Sequence, residues 1–75
     1  MIIKVLGTDC EEARGLENNI NRAIQEAGVA AFVEMIQDCK EIERYSVNRT
    51  PAVVIDEKVV SSGKQLSVEE IMRLF

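Results

Sequence analysis

An apolar run at the start of the chain leads directly into the longest amphipathic pattern in the sequence. Ile2–Leu6 is rich in β-branched residues and ends at a glycine, which is typical of a strand buried on both faces. A second strand-like run covers residues 30–36, and a strand, helix, strand succession implies a right-handed parallel crossover. Between the two runs, apolar residues at helical spacing predict a helix that ends at Gly28: Ala13, Leu16, Ile20, Ala23, Ile24 and Ala27.

The rest of the chain predicts a short helix, a hairpin and a last helix. The short helix follows Asp38, and the last one follows a capping-box pattern of Ser67 with Glu70. Between them, residues 49–55 and 58–61 read as antiparallel strands joined by a tight turn. The predicted fold is therefore α/β, in the order β-α-β-α-β-β-α, with a four-stranded mixed sheet flanked by three helices.

Composition limits the chain to one domain and excludes several classes of function. With 75 residues, 47% of them apolar, we expect one core in a single domain over residues 1–75 and modest stability. A net charge of -4 opposes binding to nucleic acid, which needs clustered Lys and Arg. Because the sequence has no His, neither a Ser-His-Asp triad nor a His-based metal site can form. We expect no metal and no cofactor.

The cysteine content and the apolar segments indicate the cellular compartment. Two cysteines are too few for the disulfide framework of a small secreted domain, and no stretch resembles a signal peptide. The apolar opening is much shorter than the roughly 20 residues that cross a bilayer. We therefore expect a cytoplasmic protein that does not enter a membrane.

One of the two cysteines stands where the first strand gives way to the first helix. Cys10 lies behind Thr8 and Asp9, which begin overlapping capping-box patterns with Glu11 and Glu12. The first turn of a helix carries unpaired N–H groups and the positive end of the helix dipole, and both favour the nucleophilic thiolate. The adjacent carboxylates oppose a further negative charge, so we expect a thiol less acidic than that of an efficient oxidoreductase.

This segment resembles the active-site segment of small thioredoxin-like and glutaredoxin-like proteins, in which Gly-Thr-Gly-Cys-x-x-Cys follows the first strand. The resemblance extends over essentially the whole chain to the short archaeal and bacterial redox-active disulfide proteins, which share the element order. It is also carried by the Tyr45-Ser46-Val47 segment that leads to Thr50-Pro51-Ala52, and by Gly63 after the second hairpin strand.

The resemblance implies a thioredoxin-like fold and a substrate site. It implies that Pro51 is cis and faces Cys10, and that backbone groups of Thr50 pair with the substrate chain. It also implies that Thr8 belongs to the substrate-binding residues.

The chain departs from the family at the second active-site cysteine. Aligned on Cys10, that position is Ala13, so the CxxC motif becomes CxxA and the dithiol becomes a single thiol. Asp9 stands where glycine is common, and Ser46 replaces a usual glycine. Monothiol glutaredoxins also keep one cysteine, but their Cys-Gly-Phe-Ser segment and glutathione-binding residues are not recognisable in this sequence.

Cys39 is the other thiol, and it too falls at a predicted strand-to-helix junction. If the two preceding strands are parallel neighbours, both junctions lie at the same edge of the sheet. We expect Cys39 to pack partly inside, since cysteine is among the most buried residue types. A resolving role toward Cys10 is the alternative.

Two functions from different classes follow. The first is a thioredoxin- or glutaredoxin-like redox protein in which Cys10 attacks a disulfide of a protein substrate or accepts a mixed disulfide. Release would then need an external thiol, from a small thiol or a reductase, or Cys39. The second is a redox-inactive module that keeps a peptide-binding groove beside Pro51. Whether the chain is an enzyme depends on which of the two holds.

Overall fold

A computed structural model describes residues 1–8, 10–47 and 49–75, and the side chain of Cys10 lies outside the described part. The element order and the mixed four-stranded sheet agree with the sequence prediction. The strands are β1 (Ile2–Leu6), β2 (Phe32–Ile36), β3 (Ala52–Ile55) and β4 (Lys58–Ser62), and the helices are α1 (Cys10–Ala27), α2 (Cys39–Arg44) and α3 (Val68–Met72). None of the helices in the described ranges is both long and apolar enough to cross a membrane.

The strands are arranged in the order β2-β1-β3-β4, so that β1 is central. β1 pairs in parallel with β2 and antiparallel with β3, and β4 is antiparallel to β3. Both β2 and β3 begin later than their apolar runs predict. Their first residues, Phe32 and Ala52, pair with the ends of β1 at Ile2 and Leu6 respectively. The length of β1 therefore limits its neighbours, because a ladder extends only as far as both strands do.

The sheet separates two clusters of buried side chains. The smaller one lies beneath α2 and contains Leu6, Ile36, Ile42, Ala52 and Val54. The larger one lies beneath α1 and α3 and contains Ile3, Val5, Ala13, Leu16, Ile20, Ala23, Val53, Ile55, Leu66 and Ile71. Alternate residues of β1 thus point to opposite clusters, as strand geometry requires.

Side-chain caps begin the two short helices. The carboxylate of Asp38 accepts a hydrogen bond from the backbone N–H of Lys40 at 2.9 Å. Ser67 and Glu70 form the reciprocal capping box that the sequence predicts, with both hydrogen bonds at 3.2 Å. These caps satisfy N–H groups that have no partner within the helix.

The β3–β4 turn is attached to the central strand by its two side chains. Asp56 Oδ1 accepts a hydrogen bond from the N–H of Ile2 at 2.9 Å, and Glu57 pairs with Lys4 Nζ at 2.9 Å. Lys4 Nζ also donates to the hydroxyl of Tyr45 at 2.8 Å. The Tyr45 and Glu57 oxygens raise the pKa of Lys4 above its ordinary value. A charged lysine is therefore accommodated in an otherwise apolar strand.

Candidate functional site

Three elements meet at the carboxyl end of β1. Gly7 continues from the strand, and its N–H donates to the carbonyl of Ile36 in β2 at 3.0 Å. A Cβ built on Gly7 would lie 3.3 Å from Cβ of Ala13 and 3.9 Å from Cα of Pro51. The missing side chain therefore lets the first turn of α1 and the segment before β3 both approach the end of the central strand.

An open groove lies beside this junction. The Thr50–Pro51 peptide bond is cis, which is the geometry that the resemblance implies. Pro51 is buried and Thr50 is half-buried. The groove has a volume of about 480 Å³ and is lined by Glu11, Glu12, Thr50, Pro51, Gly63 and Gln65.

Gly63 holds the loop after β4 against Pro51. Its N–H donates to the carbonyl of Pro51 at 2.9 Å, and its φ of +67° lies in the left-handed region that favours glycine. A Cβ at this position would also come within 2.7 Å of Cβ of Arg49. Only a residue without a side chain fits this wall of the groove.

Gln65 connects the same loop to α1, and sequence reasoning did not single it out. When the side-chain amide of Gln65 is oriented so that its nitrogen and its oxygen both form hydrogen bonds, the nitrogen donates to the carbonyl of Glu12 at 3.2 Å. The oxygen then accepts from the N–H of Leu16 at 3.0 Å. A Cβ on Gly15 would lie 2.9 Å from this amide. Nearby, Asn19 Nδ2 donates to the carbonyl of Leu66 at 2.8 Å. Gly15 therefore lets a loop residue pack closely against α1, a contact that no periodic signal in the sequence marks.

The charged residues that line the groove are both acidic. Glu11 and Glu12 are exposed in the first turn of α1, and the remaining lining residues are uncharged. The carboxylates also complement the positive end of the α1 dipole. An approaching ligand therefore meets negative side chains at the helix end of the groove.

The structure brings some of the predicted site residues together. Thr50 and Pro51 line the groove, whereas Thr8 is exposed and is not one of the lining residues. Cys10 is the first residue of α1, as predicted. Its side chain and the predicted cap at Asp9 lie outside the described residues.

Ala13, at the position of the family's second cysteine, is completely buried in the larger cluster. Its methyl carbon lies 3.3 Å from where a Cβ on Gly7 would be, and Ala13 is not one of the residues that line the groove. A side chain at this position lies inside the protein, one helical turn from residue 10.

Cys39 is exposed, so the expectation that it packs partly inside is wrong. It begins α2 beyond the end of β2, where Gln37 and Asp38 are also exposed. The buried residue of this short helix is Ile42, whereas Lys40 and Glu41 of its first turn are exposed. Whether a cysteine at the start of a helix is buried depends on which neighbouring elements cover it. The residue type alone does not reveal this.

The described side chains contain no metal-binding cluster. No group of three or more His, Cys, Asp or Glu residues among them has the arrangement needed to hold a metal ion.

Similarity to known proteins agrees with the fold. The thioredoxin domain family matches residues 1–75. A thioredoxin of Methanocaldococcus jannaschii is 35% identical over 71 residues, covering 95% of this chain and 81% of the relative. A thioredoxin of Methanothermobacter thermautotrophicus is 30% identical over 74 residues, covering 99% of this chain and 96% of the relative. The chain belongs to the thioredoxin domain family.

Proposed function

We propose that the protein is a thiol–disulfide redox protein that acts through the single thiol of Cys10 on disulfide-containing or thiol protein substrates. Membership of the thioredoxin domain family supports thiol–disulfide redox function in general. The observation that carries the proposal is the groove beside the cis Thr50–Pro51 bond at the start of α1, the helix that Cys10 begins.

The first step is attack by the Cys10 thiolate on one sulfur of a substrate disulfide. The new bond joins Cys10 to the substrate as a mixed disulfide, and the other substrate sulfur leaves as a thiolate. The positive end of α1, a helix of 18 residues, stabilises the attacking thiolate. Thr50 offers backbone groups to the extended substrate chain, Pro51 forms the wall beside it, and Thr8 contributes at the entrance.

The second step resolves the mixed disulfide. A second thiolate attacks the Cys10 sulfur, so that the substrate leaves as a thiol and a new disulfide forms on Cys10. Ala13 supplies no thiol for this step. The attacking thiol is therefore a small external thiol, a reductase, or the exposed Cys39. One further external thiol then releases Cys10 from a disulfide with a small thiol or a reductase. A Cys10–Cys39 disulfide needs two external thiols, which leave joined to each other by a disulfide, and a reducing cytoplasm would supply them.

The test is reduction of a protein disulfide by excess dithiol, measured on wild type and on Cys10→Ser and Cys39→Ser variants. We expect Cys10→Ser to reduce the rate to that of the dithiol alone. Cys39→Ser is the matched control, because it removes the other thiol in the chain. Turnover of the Cys39→Ser variant at the wild-type rate would assign resolution to the external thiol, and a slower rate would assign it to Cys39.

The second candidate is a redox-inactive module that binds extended peptides in the same groove, and the buried methyl of Ala13 favours it. One comparison distinguishes the two functions. If wild type and Cys10→Ser reduce the disulfide at the same background rate while both bind the reduced substrate chain, the binding module is the correct function.

A further inference from the structure

The two acidic residues at the groove lie very close to the thiol in sequence and in the helix. Residues one and two positions after Cys10 have Cα atoms about 4 to 6 Å from its own. Both side chains are exposed and both line the groove. A substrate whose sulfur reaches Cys10 must therefore place its neighbouring side chains near Glu11 and Glu12.

We propose that the groove selects disulfide substrates with cationic residues next to the target cysteine, and that Glu11 and Glu12 determine this specificity. The inference rests on the proposed redox function. The inference concerns which substrates reach Cys10. Thiol–disulfide exchange, the chemistry that the family shares, does not determine this preference. A carboxylate attracts a cation at this range whether or not it also accepts a hydrogen bond. Lys or Arg beside the substrate sulfur is attracted, and Asp or Glu is repelled.

Charges elsewhere do not reverse this preference. Arg49 packs its aliphatic stem against Gly63 and is not one of the residues that line the groove. Arg14 is exposed one turn further along the helix and lines a different depression, with Glu17 and Gln37. The net charge of -4 adds a long-range attraction for cationic chains that acts on the whole surface. A test must therefore separate the local carboxylates from the overall charge.

The experiment uses one short cysteine peptide in three versions, with Lys, Gln or Glu on both sides of the cysteine. Each peptide carries the same uncharged aromatic thiol in a mixed disulfide. Attack by Cys10 on the peptide sulfur forms the Cys10–peptide disulfide and releases the aromatic thiolate, whose absorbance gives the rate. All proteins carry Cys39→Ser, because Cys39 is also exposed. No other thiol is added, so only the first step is measured.

Three proteins are compared at low and high salt: the parent, a Glu11→Gln/Glu12→Gln variant, and a Glu26→Gln/Glu34→Gln control. The control removes two exposed carboxylates far from the groove and changes the net charge equally. The ratio of the Lys to the Glu peptide rate is the quantity of interest. Removing carboxylates near Cys10 also alters its thiolate fraction, which affects all three peptides alike.

We expect the parent to react about tenfold faster with the Lys peptide than with the Glu peptide at low salt, and the ratio to shrink at about 0.5 M salt. The groove variant should lose most of this ratio, while the control should keep it. A parent ratio near one, with normal reaction of the Gln peptide, would overturn the specificity and leave the redox function standing. An equal loss in the control would also overturn it, since overall charge would then explain the preference. A fourth protein, Cys10→Ser/Cys39→Ser, gives the background rate. If the Gln peptide reacts no faster with the parent than with this protein, the redox function itself is overturned.

Discussion

Ala13 is the residue at which this chain departs most clearly from a dithiol mechanism. It lies three positions after Cys10, so both residues occupy one face of the first turn of α1. In that geometry a second thiol attacks a mixed disulfide within the same molecule. Because Ala13 is fully buried beside Gly7, a thiol placed there would be shielded from bulk solvent yet next to residue 10.

We predict that Ala13→Cys reduces a protein disulfide faster than wild type under excess dithiol, because resolution no longer waits for an external thiol. The sulfur must fit into a packed position, and overpacking of this kind costs about 1 to 3 kcal/mol. The free energy of unfolding is therefore measured beside the rate. The double variant Cys10→Ser/Ala13→Cys is the control and should stay at background. If Ala13→Cys is folded and no faster than wild type, the acidic first turn or access to the groove limits the chemistry.

At the scale of single elements, α3 depends on an ionised side chain. Glu70 accepts hydrogen bonds from Lys64 Nζ at 2.6 Å and from the N–H of Ser67 at 3.2 Å. The ammonium of Lys64 first, and the capping hydrogen bonds of Ser67 second, hold the pKa of Glu70 below its ordinary value of 4.5. A carboxyl whose pKa is lowered by folding stabilises the folded state above its unfolded pKa. That contribution is lost as the pH falls through the lower, folded pKa.

We predict that wild type loses more of its unfolding free energy than Glu70→Gln when the pH falls from about 6 to about 3. Glutamine can still accept from the N–H of Ser67, so the substitution removes mainly the charge. Denaturant unfolding at the two pH values measures the difference. Glu69→Gln, which removes an exposed carboxylate from the same turn, serves as the control. Its unfolding free energy should fall by as much as that of wild type over the same pH range. The prediction fails if the two variants show the same pH dependence.

For the whole molecule, the sheet divides the core unequally. The cluster beneath α1 and α3 combines residues from both helices and the central strands, whereas α2 contributes Ile42 to the smaller cluster. A helix of six residues is not stable in water without such packing. We therefore expect α2 to open locally, at a lower free energy than the rest of the fold.

We predict that Ile42→Ala lowers amide protection in both α2 and β1, whereas Ile20→Ala, in the larger cluster, lowers it in β1 but not in α2. Deleting a buried isoleucine side chain costs about 2 to 5 kcal/mol, and Ile42 is the buried residue by which α2 packs on the sheet, beside the partly buried Tyr45. Hydrogen exchange at the amides of Ile42, Tyr45 and Ser46, which are bonded within and after α2, is compared with exchange in β1. Ile20 keeps its contacts when α2 alone opens, so its replacement lowers only the free energy of global unfolding. An equal loss of protection in α2 and β1 for Ile20→Ala would show that α2 unfolds only with the whole domain.

Much of this molecule followed from local features of the sequence. The apolar runs, the helical spacing after Cys10 and the Ser67–Glu70 cap predicted the element order, because strand alternation, helix period and capping depend on residues within a few positions of one another. From that order, the parallel crossover and the antiparallel hairpin followed by general rules of connection. The place of Thr50 and Pro51 at the site came from the family resemblance.

Only the tertiary structure decided the features that depend on residues distant in sequence. Pairing with β1 set where β2 and β3 begin, and Cys39 at the start of α2 is exposed. Gln65 reaches the groove because Gly15, fifty positions earlier, leaves room for its amide. Each of these outcomes depends on which surfaces meet in space. A single sequence carries no periodic signal for such contacts, since the energy that fixes them comes from packing across the sheet and not from any local preference.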